Sequence, residues 1–265
     1  MRLDYQFDHS FSFSKRSMLD FRNHAQGELE FGIMLAGSCR FVCGSIDTVL
    51  LPGDVFFAFP NQPHRYEGSQ QVDAYLLIVP VKRYLSPYYN LLMKQVPERA
   101  VLHKGEYDPS IITLAERALS DMSTASEPVL QGYLLVIVGK LLESLQLRQR
   151  QTGAEQALSR VLHYLNEHYR ESITRSEVAK AVGYNESYVS HLFSQTMGTT
   201  LPDYVHMMRV EDACHMLKET ELTATQIATE LGFGSIRNFN RVFLKRTGKT
   251  PTEYRFAFQK EKEAT

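Results

Sequence analysis

The chain has 265 residues, 43% of them hydrophobic and 22% charged, with a formal net charge of −1. That length and apolar content allow two domains with real cores and exclude wholesale disorder, while the near-neutral charge excludes a general attraction to polyanions. The three cysteines, Cys39, Cys43 and Cys214, form neither an even disulfide framework nor a zinc pattern and are expected to be reduced.

The N-terminal arm, MRLDYQFDHSFSFSKRS, is aromatic and polar without clear periodicity, and it fits either a cover over a barrel mouth or an ordinary edge strand. It lacks a basic start followed by an apolar core, so no leader is expected. From Leu29 to Pro80 short apolar runs alternate with turn signals. LEFGIMLA precedes Gly37, CRFVC precedes Gly44, IDTVLL precedes the PGD turn at 52–54, VFFAF precedes PNQP, and AYLLIV follows. Strands at this spacing predict a small antiparallel barrel or jelly roll.

Glu30 and Gly37 in an E-x6-G order, the PGD turn, and a PNQPH segment ending at His64 resemble a cupin. Metal-binding cupins carry H-x-H-x3-4-E and a later histidine. This chain offers His24, Gln26, Glu30 and His64, with glutamine where the second histidine would stand. Such a remnant could hold a metal in principle. The favoured expectation is instead an uncharged or carboxylated small molecule inside an apolar mouth, with no metal and no cofactor. The residues expected to contact it are His24, Glu30, Arg40, His64, Arg65 and Tyr66.

Between Tyr84 and Leu147 two helices are expected. Ile111, Leu114, Ala115, Ala118 and Leu119 mark the first, and Leu130, Leu134, Ile137, Val138, Leu141, Leu142 and Leu145 the second. The second stripe offers more apolar surface than one barrel contact needs, which predicts a homodimer interface; burial against the first helix is the competing explanation. The most apolar stretch, VLQGYLLVIVGKLLESL, is interrupted by Gln131, Gly132 and Lys140 and is short for a bilayer, so a cytoplasmic protein without a membrane span is expected. LRQRQTGAEQ, with Gly153, reads as an interdomain linker. The expected boundaries are 1–147 for the N-terminal domain, 148–156 for the linker and 157–265 for the C-terminal domain.

A helix over Ala157–Tyr169, packing through Leu158, Val161, Leu162 and Leu165, leads into an internal repeat. ITRSEVAKAVGYNESYVSHLFSQTMGTTLPDYV begins at Ile173, and LTATQIATELGFGSIRNFNRVFLKRTGKTPTEYR begins at Leu222. At an offset of 49, Ala179, Gly183 and Tyr184 match Ala228, Gly232 and Phe233; after one inserted residue, Phe193, Gly198 and Tyr204 match Phe243, Gly248 and Tyr254. A repeat of this kind must be explained before any single motif.

Each copy has helix-turn-helix grammar. Thr174 and Thr223 suit N-caps. Val178, Ala179 and Val182, or Ile227, Ala228 and Leu231, form a buried face, and Gly183 and Gly232 sit where the turn calls for positive φ. The second helices bury Val189, Leu192 and Phe193, or Phe239, Val242 and Phe243. Their opposite faces present Ser187, Ser190 and His191, or Arg237, Asn238 and Arg241, groups able to read base edges. Arg237, Arg241, Lys245, Arg246, Lys249 and Arg255 face one acid, Glu253, across the same stretch, a local excess that suits phosphates. From Glu155 onward acids and bases are equal in number, so only this clustering argues for DNA. Between the copies, Leu201–Lys218 reads as an amphipathic rod with Leu201, Tyr204, Val205, Met208, Ala213, Met216 and Leu217 on one side.

GYNESYVSHLFSQTMG, the linker helix in which Arg209 precedes DACHML, and GFGSIRNFNRVFLKRTGKTPTEYR together resemble the DNA-binding domain of the AraC/XylS family of bacterial transcription regulators. The resemblance implies an α+β chain of two domains, a cupin-like effector barrel with following helices and an all-α domain of two helix-turn-helix motifs on a linker helix. It implies base contacts at Ser187, Ser190 and His191 and at Arg237, Asn238 and Arg241; Lys245, of the basic cluster, is expected to contact DNA as well. It also implies promoter DNA, a small-molecule effector and RNA polymerase as partners, and activation as the sign of regulation. No nucleophile–base constellation, phosphate-binding glycine loop or paired zinc-ligand motif points to an enzyme. A metal-dependent cupin enzyme with a DNA-binding appendage and a ligand-independent regulator with a structural barrel are the competing readings.

Overall fold

A computed structural model of the chain describes residues 12–68, 71–150 and 153–263, without the side chains of 260–263. Contacts divide it into two compact units, one from Phe11 to Leu162 and one from His163 onward.

The first unit opens with eight strands: β1 Ser12–Arg16, β2 Phe21–His24, β3 Leu29–Ala36, β4 Cys39–Cys43, β5 Ile46–Leu50, β6 Val55–Ala58, β7 His64–Glu67 and β8 Asp73–Val79. Then come α1 Val81–Tyr84, α2 Tyr89–Lys94, β9 Gln95–Pro97, β10 Val101–Leu102, α3 Ser110–Asp121, α4 Glu127–Glu143 and β11 Leu147–Gln149. All pairings are antiparallel, in sheets of order β1-β8-β3-β6-β10 and β2-β7-β4-β5 with a small β9-β11 ribbon. The described part of the N-terminal arm is therefore an edge strand, Ser12 facing Ile78 across the ladder. The cover expected over the barrel mouth falls on residues 1–11, outside the described ones.

Strand alternation builds the two cores. Phe31, Ile33, Phe57, Leu77 and Val79 point from the five-stranded sheet onto Tyr84, Leu92, Ile111, Ala115, Leu134, Ile137, Val138 and Leu141. On the opposite face, Met34, Phe56, Ala58 and Leu76 meet Cys39, Phe41, Cys43, Leu50 and Tyr66 of the four-stranded sheet. Buried on both sides, β3 reads as an unbroken apolar run except at Glu30 and Gly32. Gly32 leaves room for the Phe56 ring, which a Cβ there would meet at 2.2 Å. The stripe of α4 that predicted a dimer is thus largely covered within the chain by α3 and the sheet, and the large apolar side chains of that helix that stay exposed are Val129 and Val136.

The stretch expected as a linker is largely structured. Leu147–Gln149 pair with Gln95–Pro97, α5 spans Gly153–His168, and the division between units falls inside this helix. Leu158, Val161, Leu162 and Leu165 of α5 are buried as expected.

The rest of the second unit is α6 Arg175–Val182, α7 Glu186–Met197, α8 Leu201–Glu219, α9 Ala224–Glu230, α10 Ile236–Thr247 and α11 Pro251–Glu263. The rod between the repeats, α8, departs from the one-sided stripe expected of it: every residue from Met208 to Cys214 is buried, Arg209, Glu211 and Asp212 included. The two motifs pack on different faces of α8. Phe193 of α7 meets Tyr204 edge-on at 5.3 Å, while Val210, Ala213, Cys214 and Leu217 join Ile227, Ala228, Leu231, Phe239 and Phe243. No helix among the described residues is long and apolar enough to cross a membrane.

Candidate nucleic-acid interface and barrel interior

The two helix-turn-helix motifs are built by the same local chemistry. The Thr174 hydroxyl accepts from the Glu177 amide at 3.2 Å while Glu177 Oε2 accepts from the Thr174 amide at 2.8 Å, and Thr223 and Gln226 repeat this capping box at 3.3 and 2.8 Å. Past each first helix a glycine takes a left-handed turn, and the next aromatic amide donates back into the helix at 3.0 Å, Tyr184 to Ala179 and Phe233 to Ala228. Asn185 and Ser235 then cap α7 and α10.

Each second helix turns one face to solvent. On α10, Arg237, Arg241 and Lys245 are exposed four residues apart, as the sequence predicted. Asn238 is half-buried: its Nδ2 donates to the Phe233 carbonyl at 3.1 Å, and its Oδ1 accepts from Arg241 Nη2 at 2.8 Å. It braces the turn and the neighbouring arginine. Asn240 and Leu244 are exposed on the arginine face and were not singled out from sequence, where an asparagine inside a phenylalanine-rich run gives little signal. On α7, Ser187 and His191 are exposed and Ser190 is half-buried, with Tyr188 and Gln195 also reaching solvent. Two arginines of the basic cluster serve the fold. Arg255 donates to the carbonyls of Leu217, Thr220 and Leu222, and Arg246 donates to that of Asp203.

The charged residues inside α8 are the main feature missed from sequence. Arg209, 7% exposed, donates to the carbonyls of Tyr169, Gly232 and Glu171, each at 2.6 Å. Asp212 accepts from the Tyr169 hydroxyl at 2.6 Å and from Arg170 Nη2 at 2.6 Å. Together they tie the segment after α5 to the turn of the second motif. Glu211 is buried as well, and burial pushes its carboxyl up to about 8, with Asp212 adding to the effect and Arg246 opposing it. The detectable signal was three charges within the otherwise apolar VHMMRVEDACHML.

Inside the barrel the structure brings together four of the six residues expected to contact an effector. His24 and His64 pair across β2 and β7, with ring centroids 4.1 Å apart. Glu30 reaches them from β3, in the other sheet, and Tyr66 donates its hydroxyl to Glu30 Oε1 at 2.6 Å. Gln26 Nε2 donates to Glu30 Oε2 at 2.8 Å. Burial, then the neighbouring His64, lowers His24.

Arg40 and Arg65 do not join them. Arg40 alternates with Cys39 and Phe41, and Arg65 with His64 and Tyr66, so both point to the outer face. There Arg40 pairs with Asp47 at 2.7 Å and with Glu67 at 2.8 Å, and Arg65 pairs with Glu67 at 2.7 Å. The expectation that all six line one mouth is corrected by this two-residue period.

A sequence model described as a helix-turn-helix domain matches residues 178–257, and one described as an AraC-like ligand binding domain matches residues 11–86. The chain is 31% identical over 231 residues to YijO of Escherichia coli, an uncharacterised HTH-type transcriptional regulator, covering 84% of this chain and 79% of that one. Another E. coli HTH-type regulator, YdiP, is 32% identical over 99 residues, 37% of this chain and 33% of its own. The fold matches ToxT of Vibrio cholerae. An apo form gives a TM-score of 0.61 at 14% identity over 93% of this chain and 97% of ToxT, and a form bound to an unsaturated fatty acid gives 0.59 at 14% over 93% and 94%.

Proposed function

This chain belongs to the AraC/XylS family of transcriptional regulators, and we propose that it activates transcription by laying α7 and α10 in two successive major grooves of promoter DNA in response to a small molecule sensed by the barrel. The observation that carries the reading is the repeat itself: two motifs that each open on a threonine capping box, joined by one helix of 19 residues, each with an exposed polar face. A helix of that length spans about 28 Å, close to the ~34 Å turn that separates successive major grooves.

In this reading Arg237 and Arg241 contact base edges and Lys245 a phosphate, while Ser187, Ser190 and His191 make the weaker contacts of the first motif. Asn238 acts through Arg241. The buried polar group of His24, Glu30, His64 and Tyr66 is the end of the barrel that orients an effector. The effector shifts the arrangement of the DNA-binding unit only by its differential affinity for the two states. A cytoplasmic homodimer contacting RNA polymerase completes the scheme; Val129 and Val136, exposed seven residues apart on α4, support a pairing face.

The test is capture of genomic DNA fragments by purified full-length protein, followed by sequencing. A bipartite motif with half-sites about one helical turn apart is expected. Enrichment equal to that of a variant carrying both Arg237→Ala and Arg241→Ala, with and without cell extract as a source of effector, would overturn the assignment.

A further inference from the structure

The geometry points to a metal site in the barrel: His24 Nε2, His64 Nε2 and Glu30 Oε2 are arranged to hold one divalent first-row transition-metal ion, bridging the two sheets. This goes beyond the regulatory reading, stands whether or not the barrel also takes an organic effector, and replaces the expectation of no metal drawn from the sequence.

The tautomers follow from the hydrogen bonds. His24 Nδ1 lies 2.8 Å from the Arg22 carbonyl and His64 Nδ1 lies 2.9 Å from the Gln62 carbonyl. A carbonyl only accepts, so in a neutral ring the proton is on Nδ1 and Nε2 carries a lone pair. Both lone pairs face the same carboxylate oxygen, Glu30 Oε2, at 3.9 and 3.4 Å. His64 Nε2 makes no hydrogen bond, although His64 and Glu30 are each only 1% exposed. Electron-rich atoms gathered in a dry interior need a cation between them. A proton on His64 Nε2 would draw the pair to the ~2.8 Å of a charge-assisted bond. The observed 3.4 Å instead matches the ~3.3 Å between ligand atoms placed about 2.0–2.1 Å from a tetrahedral ion.

The surrounding groups fix these ligands as metal sites require. Each imidazole is oriented by the carbonyl on its Nδ1, and the carboxylate is held by the Tyr66 hydroxyl and the Gln26 amide. Two imidazoles and one carboxylate favour a borderline ion such as zinc over calcium or magnesium and leave a coordination position open. Cys43 does not join them: its Sγ donates to the Phe57 carbonyl and lies outside the gathered ligand atoms. Among the described residues, this is the group of His, Cys, Asp or Glu whose ligand atoms all lie within 4.8 Å of one another.

The experiment uses full-length protein stripped by a chelator and titrated with Zn2+ against a chromophoric competitor, with X-ray absorption on the reloaded sample. We expect one tight equivalent per chain, a raised thermal midpoint, and an absorption spectrum showing two imidazoles with further oxygen and no sulfur. His64→Gln and Glu30→Gln should lose the tight equivalent, whereas His168→Gln, in the other unit, should keep it. Tyr66→Phe should bind about 10–100-fold more weakly through loss of its hold on the carboxylate. No stoichiometric zinc, sulfur in the coordination shell, or equal binding by His64→Gln would overturn the site. If the ligand variants fail to fold, the wild-type spectrum decides alone.

Discussion

Replacing Arg209 with lysine keeps the charge and removes the fork. The guanidinium spreads its donors over the carbonyls of Tyr169, Glu171 and Gly232, each at 2.6 Å, from a position 7% exposed. A lysine ammonium offers its donors from a single atom and can serve one of these directions well. Two carbonyls then lose a charged donor, at about 1.5–3 kcal/mol each. The bonds to Glu171 and Gly232 are only partly buried, so water can replace part of that loss, and we expect about 3 kcal/mol of destabilisation. Against a typical 5–15 kcal/mol total, the change is large without abolishing folding.

Hydrogen exchange read by mass spectrometry suits this variant, because it separates the two units. Protection should fall across α8 to α10 and stay at the wild-type level in the barrel strands. Operator affinity should fall in parallel, since the Gly232 carbonyl belongs to the turn that sets α10. A change below about 1 kcal/mol, the median worth of an exposed pair, would refute the view that Arg209 staples the unit.

Other predictions follow from the same geometry. Gly183→Ala should cost about 1 kcal/mol, because it meets no atom and only the left-handed backbone opposes it. Gly232→Ala should cost about 3 kcal/mol, because its Cβ would also lie 2.1 Å from the Arg170 carbonyl oxygen; equal thermal shifts for the two alanines would contradict this. Glu211 has a folded-state carboxyl raised by burial to about 8 from an ordinary 4.5. The folded state therefore binds the extra proton, and stability is full below pH 4.5 and falls as pH rises toward 8, by no more than about 5 kcal/mol. Glu211→Gln should flatten that fall in urea titrations at pH 5 and pH 8; an unchanged slope would show that the carboxyl is solvated. Arg237→Ala and Arg241→Ala should each weaken operator binding by about 1–3 kcal/mol in fluorescence anisotropy, and Lys245→Ala should lower the salt slope by about 1. Unaltered binding in all three would move the interface off α10.

The strands with apolar alternation were legible, and β3 and β4 begin and end where LEFGIMLA and CRFVC do. Strands made of polar residues were not. β2 is FRNH and β7 is HRYE, and neither presents an apolar run, because their inward residues are the histidines and Tyr66. The chemistry placed in the barrel is thus what hid the strands that carry it. On α4 the limit has another source: a sequence stripe records that a face is buried and carries no record of what buries it, and here α3 and the sheet cover most of it.

At the sites, legibility depended on whether a side chain's role is local. Caps and turns repeat because each is settled within about five residues, and Thr174, Thr223, Gly183 and Gly232 were readable for that reason. Arg209, Asp212 and Arg255 bond across 23 to 43 residues, so nothing near them in the chain announces their partners. Arg40 and Arg65 show the reverse case, in which local information suffices. Once β4 and β7 are strands with Phe41 and Tyr66 inside, period two sends both arginines out. The same period sends His64 in with Tyr66, and Glu30 in with Met34. A buried histidine and a buried glutamate on facing sheets, with nothing apolar between them, form a pairing that strand register makes foreseeable, and it is this register that gathers the barrel's polar atoms at one point.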